Sequence, residues 1–141
     1  MLARLVAIAA AAPVPLEIPP RVFALLGGHF TAFDEPAATL AARFPVKPEY
    51  RNPLGFMQGG MIIAAVDNTM GPLCFLSGFL GVSTQINTTF VRPVPSGEAW
   101  LGVEARIVER TASLAQVSAR ATNDAGKTVV LCQATFALAR T

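Results

Sequence analysis

The chain has 141 residues, 52% hydrophobic and only 14% charged, with a formal net charge of +2. The length suits one compact domain, and the small basic excess is scattered, with no basic run interleaved with aromatics, so nucleic-acid binding gets no support. A chain this apolar should cover part of its surface with a second copy of itself.

The first fifteen residues, MLARLVAIAAAAPVP, resemble a secretory signal only weakly and are too short to span a bilayer. A helix packed on the domain or on a neighbouring chain is expected there, so the chain divides into an extension at 1–19 and a domain at 20–141. Pro20 and Gly27–Gly28 bracket one or two helical turns at 20–26. Two extended pieces then flank the turn signal Asp34-Glu35-Pro36, which reads as a hairpin. The second piece sets Leu40, Ala42, Phe44 and Val46 on one face and Thr39, Ala41 and Arg43 on the other. KPEYRNPLG follows as a loop, because Pro48 and Pro53 disfavour a ladder.

Residues 59–70 are apolar at nearly every position, which predicts a helix buried on most sides. Pro72 is expected to kink or stop it near Gly71, with LCFLSGF adding a turn or two. The second half is rich in Thr, Val and Ile. In GVSTQINTTFVRPV, Val82, Thr84, Ile86, Thr88 and Phe90 alternate with Ser83, Gln85, Asn87, Thr89 and Val91, which predicts a strand broken by Pro93, Pro95 and Gly97. AWLGVEARIVER, LAQVSARATN and KTVVLCQATFALA give three more strands, the last two joined at Asn123-Asp124-Ala125-Gly126. Consecutive strands with short connections predict an antiparallel meander. One buried helix against a large antiparallel sheet is an α+β layout, with the sheet wrapping the helix.

Cys74 and Cys132 are far apart in apolar company, which reads as two buried reduced thiols in a cytoplasmic protein. Two distant cysteines and one histidine, His29, do not make a zinc site, and Asp67 alone is a poor magnesium anchor. His29 reads as surface or loop packing.

In the run from Asn52 to Asp67, Asn52 stands in the loop, Gln58-Gly59-Gly60 opens the helix, and an acid follows nine residues after Gln58. This spacing, with the strand beginning near Ser83, resembles the hotdog-fold thioesterases of the phenylacetate-degradation (PaaI-like) type, over roughly residues 20–140. That resemblance implies the hotdog fold, a long central helix wrapped by an antiparallel sheet. It also implies an acyl-CoA substrate and active sites at a subunit interface. The family pattern has His-Gly-Gly where this chain has Gln58-Gly59-Gly60. Glutamine donates a hydrogen bond but does not change charge near neutrality, which argues against the hydratase branch of the fold.

The chemistry of these residue types agrees. Backbone N–H groups at a helix N-terminus lack intrahelical acceptors, and glycine lets a ligand come close, so Gly59 or Gly60 is a donor for the thioester oxygen. With no Ser–His–Asp triad possible, Asp67 is left as general base on water or as nucleophile. Nine residues of helix rise about 13–14 Å, so the helix start and Asp67 of one chain do not reach one carbonyl. The partners must be different chains of a dimer or a dimer of dimers.

By the same resemblance, Asn52 holds the attacking water or the carbonyl. Ser83, ahead of Thr84, borders the site, Arg92 meets a coenzyme A phosphate, and Met57, Phe56 and Met61 line an acyl tunnel. The expectation is an acyl-CoA thioesterase acting on a medium-chain or aromatic acyl group, without metal or redox cofactor. The alternatives are a hotdog protein that binds acyl-CoA without turning it over, and a purely structural oligomer.

Overall fold

The computed structural model describes residues 1–13 and 15–139. In chain order the helices are α1 (Leu2–Ala11), α2 (Arg21–Leu25) and α3 (Gly59–Leu76). The strands are β1 (His29–Asp34), β2 (Thr39–Pro45), β3 (Gly81–Phe90), β4 (Trp100–Arg110), β5 (Leu114–Thr122) and β6 (Thr128–Leu138). The strands form one antiparallel sheet in the order β1-β2-β4-β5-β6-β3, and α3 packs against its inner face. This is the hotdog arrangement.

The sheet corrects the simple meander. β3 does not pair with β4; it pairs along its length with β6, and β2 pairs with β4 instead. The link at 91–99 carries Pro93 and Pro95 and is too long for a tight hairpin, so the chain leaves one edge and re-enters at the middle. β4, β5 and β6 do follow one another as hairpins.

The inner face is built by alternation. Leu40, Ala42 and Phe44 of β2, Leu101, Val103 and Ala105 of β4, Ala115, Val117 and Ala121 of β5, and Val130, Ala134 and Phe136 of β6 are all buried. They meet Ile62, Ala65, Val66, Met70 and Leu73 of α3. By length and hydropathy α3 matches a membrane span, but half of it is buried within the sheet as the core helix.

α3 keeps the further turn expected after Pro72. It runs through Pro72 for another turn to Leu76. Pro72 removes one donor, but Leu73, Cys74 and Leu76 beyond it are fully buried, and that burial holds the last turn in place. The helix end is closed from outside: Arg4 Nη2 donates to the Leu76 carbonyl at 3.2 Å, and Arg110 Nη1 donates to Ser77 O at 2.7 Å. Arg4 belongs to α1 and also forms a two-point ion pair with Glu35, while Leu5 is buried in the common core. α1 is therefore packed against α3 and the core.

Candidate active site

The loop before α3 is organised by Asn52. Its Oδ1 accepts from the N–H groups of Leu54 and Phe56 at 3.0 and 3.1 Å, and its own N–H donates to Phe56 O at 2.7 Å. Gly55, at φ +83°, supplies the left-handed residue this turn needs. Asn52 thus spends its carbonyl on the turn, and its amide Nδ2 has no acceptor among the described residues.

Gln58 is the N-cap of α3. Its Oε1 accepts from the Met61 N–H at 3.0 Å, the capping role that Ser or Asp usually fills. The amide Nε2 is left as a donor. The N–H groups of Gly59 and Gly60, next in line, have no acceptor among the described residues. Two adjacent amides at the positive end of an 18-residue helix therefore point outward together.

These amides open beside a cleft of about 310 Å³, lined by Asn52, Phe56, Met57, Gly59, Ile62 and Phe90, with Arg92 at its rim. Met57 lies in this wall; Met61 does not, being turned by one helical step from it. Phe90 and Ile62 are wall residues that the motif spacing did not single out. Arg92 is tied down, its Nη1 donating to Thr128 O at 2.6 Å. A larger groove, about 530 Å³, lies on the outer face of the sheet among Glu104, Arg106 and Arg120. It touches none of the helix-start residues, whereas the smaller cleft includes Gly59, so the smaller cleft is the site candidate.

Asp67 lies elsewhere on α3, partly buried on the side facing β3. Burial pushes its carboxyl above the usual carboxylate range, and the nearby Ser83 hydroxyl pulls it partly back. Ser83 reaches it through an irregularity. Between Ser83 and Gln85 the β3–β6 register slips, so that Ser83 lies opposite the buried Phe136 while Ile86 lies opposite Ala134. Strict alternation would put Ser83 on the face opposite Ile86 and Phe90; the bulge puts all three on the inner face. It also turns Val82 outward, where it is 56% exposed. Thr84, in the bulge, donates its hydroxyl to Thr135 O at 3.2 Å.

The sequence-predicted residues therefore fall into two groups. Asn52, Met57, Gln58, Gly59, Gly60 and Arg92 gather at the start of α3, and Asp67 and Ser83 sit together further along. The eight residues from Gly59 to Asp67 rise about 12 Å, so one chain does not unite them. His29 is exposed at the other edge of the sheet, edge-on to Trp100 with ring centroids 6.0 Å apart. Cys74 and Cys132 are buried free thiols. Burial pushes Cys74 up to about 12 and raises Cys132 as well.

The family model of the thioesterase superfamily matches residues 54–130. Acyl-coenzyme A thioesterase 13 of Homo sapiens is 31% identical over 107 residues, which cover 74% of this chain and 76% of that protein. The solved structure of a phenylacetic acid degradation-related protein from Ralstonia eutropha JMP134 is 28% identical with a TM-score of 0.79, over 94% of this chain and 96% of the other. The PaaI protein of E. coli superposes with a TM-score of 0.78 at 20% identity, over 83% of this chain and 87% of the other, a likeness of fold.

Proposed function

Because the chain belongs to the thioesterase superfamily, and is a thioester hydrolase, we propose that it hydrolyses acyl-coenzyme A thioesters at sites shared between two copies. The name of its human relative supports the coenzyme A part of the substrate. One observation carries the shared site: the Asp67–Ser83 pair and the free amides of Gly59 and Gly60 lie about 12 Å apart on one helix, too far for one carbonyl.

β3 supplies the means of joining them. It is an edge strand of ten residues, GVSTQINTTF, with no charge or proline to guard the edge. Ser83 stands near its start, beside Asp67. Phe90 stands at its end, against Gly59. Two β3 strands pairing antiparallel about a two-fold axis bring the Ser83 end of one beside the Phe90 end of the other. Asp67 of one subunit then faces the helix-start amides of its partner. The exposed apolar side chains at the two ends, Val82 and Phe90, are covered by the same pairing.

In this arrangement the thioester oxygen sits on the amides of Gly59 and Gly60, which stabilise the charge that develops as the carbonyl is attacked. Asp67 of the other subunit takes the proton of the attacking water, or attacks to give an anhydride that water then opens. Its raised pKa makes it the stronger base. Ser83 holds the carboxyl or the water. Nε2 of Gln58 and Nδ2 of Asn52 donate to the carbonyl or the departing sulfur. The cleft wall of Phe56, Met57, Ile62 and Phe90 takes a medium-chain or aromatic acyl group, and Arg92 at the rim takes a phosphate of coenzyme A.

The experiment is release of free thiol from a panel of aliphatic and aromatic acyl-CoAs. Turnover that Asp67→Asn abolishes supports the reading. Saturable binding without thiol release marks a carrier instead.

A further inference from the structure

We propose that Thr84 is a positioning residue for the hydrolysis: its hydroxyl locks the bulge in β3 that turns Ser83 toward Asp67. The proposal rests on Asp67 being the residue that activates water.

A bulge costs the ladder regular pairing at the slipped position, so the strand needs another tie there. The slip lies between Ser83 and Gln85, so Thr84 is its extra residue. The Thr84 Oγ1 donates to the backbone carbonyl of Thr135, the partner of Gln85, at the point where the ladder shifts. Thr135 is fixed in turn: its own hydroxyl donates to Gln116 Oε1 on β5 at 2.9 Å. The chain Thr84–Thr135–Gln116 ties the bulge to three strands. Remove the first link, and regular alternation would return Ser83 to the outer face, away from Asp67.

Among the described residues, the Ser83 hydroxyl on the inner face of the bulge is what opposes the upward push of burial on the Asp67 carboxyl. The other titratable groups near it are the thiols of Cys74 on α3 and Cys132 on β6, both raised by burial and neutral near pH 7. Thr88 donates to the Cys132 sulfur at 3.7 Å, and Arg110 acts on Cys74. The acidic limb of the pH–rate profile therefore reads the Asp67–Ser83 relation directly.

The test compares pH profiles of kcat/KM for Ser83→Ala, Thr84→Val, Thr84→Ser and the Ser83→Ala/Thr84→Val double variant. Valine keeps the shape and strand preference of threonine without the hydroxyl. Thr84→Val should move the acidic limb to higher pH, as Ser83→Ala does, with a roughly two- to tenfold loss on that limb. Thr84→Ser should match the wild type, and the double variant should lose no more than Ser83→Ala alone. A wild-type acidic limb in Thr84→Val, or independent multiplying losses in the double variant, would overturn the proposal while leaving the site reading intact. Retained activity in Asp67→Asn would overturn the site reading, and the role of the bulge with it.

Discussion

The ring of Phe90 comes so close to Gly59 that a Cβ at position 59 would stand 3.0 Å from Cζ. The strand that forms the proposed subunit contact thus ends on one of the amides proposed to bind the thioester oxygen. Gly59→Ala should push Phe90 and the acyl group aside, and a misplacement of about 1 Å typically costs about 100-fold in rate. Phe90→Leu added to Gly59→Ala should restore part of that loss. Steady-state kcat/KM on the best acyl-CoA checks both.

Asp67→Asn should cut kcat by about 10²–10⁴-fold, the usual contribution of a general base. The same variant has a stability signature. Asp67 is raised in the fold above its ordinary 3.8, so the wild type carries a favourable contribution at low pH. That contribution is lost as pH rises from the ordinary value through the raised one. The Tm of Asp67→Asn minus that of the wild type should therefore increase across this window, as measured by thermal melts at stepped pH.

Alternation is clear in β2, β4 and β5, each of which buries one face on the side of α3. It fails at Ser83, because a bulge made by Thr84 carries no glycine or proline to announce it. It also fails to place β3 at an edge beside β6; the only sign is the long, proline-rich link at 91–99, which is unlike the short turns between β4, β5 and β6. Pro72 reads as a kink or stop because local propensity disfavours it, with LCFLSGF adding a turn or two; the buried Leu73, Cys74 and Leu76 hold that added turn through tertiary contact. Motif spacing singles out Asn52, Gln58, Gly59, Gly60 and Asp67 as candidates, of which the fold gathers the first four at the start of α3. That Gln58 caps the helix with one atom and keeps another free to donate is a matter of side-chain geometry that spacing does not carry.

The N-terminal helix should matter for stability and not for rate. Leu5 is 2% exposed, so Leu5→Ala should cost about 2–5 kcal/mol in urea unfolding. Its kcat should stay near that of the wild type, since α1 is tied to the far end of α3, where Arg4 donates to the Leu76 carbonyl.

Neither cysteine should react in the native protein. Cys74 is pushed up to about 12 and Cys132 is also raised, both by burial. A thiol-reactive chromophore at pH 8 should label neither, and should label both after denaturation.

The shared site is tested most directly by mixing two crippled variants, Asp67→Asn and Gly59→Ala, after subunit exchange. If Asp67 of one chain works with Gly59 of the other, each mixed dimer carries one intact site and one doubly damaged site. Random pairing in a two-fold dimer then restores about a quarter of wild-type activity, well above either variant alone. Full exchange with no recovery would contradict the account, because it would mean that both residues serve the same chain.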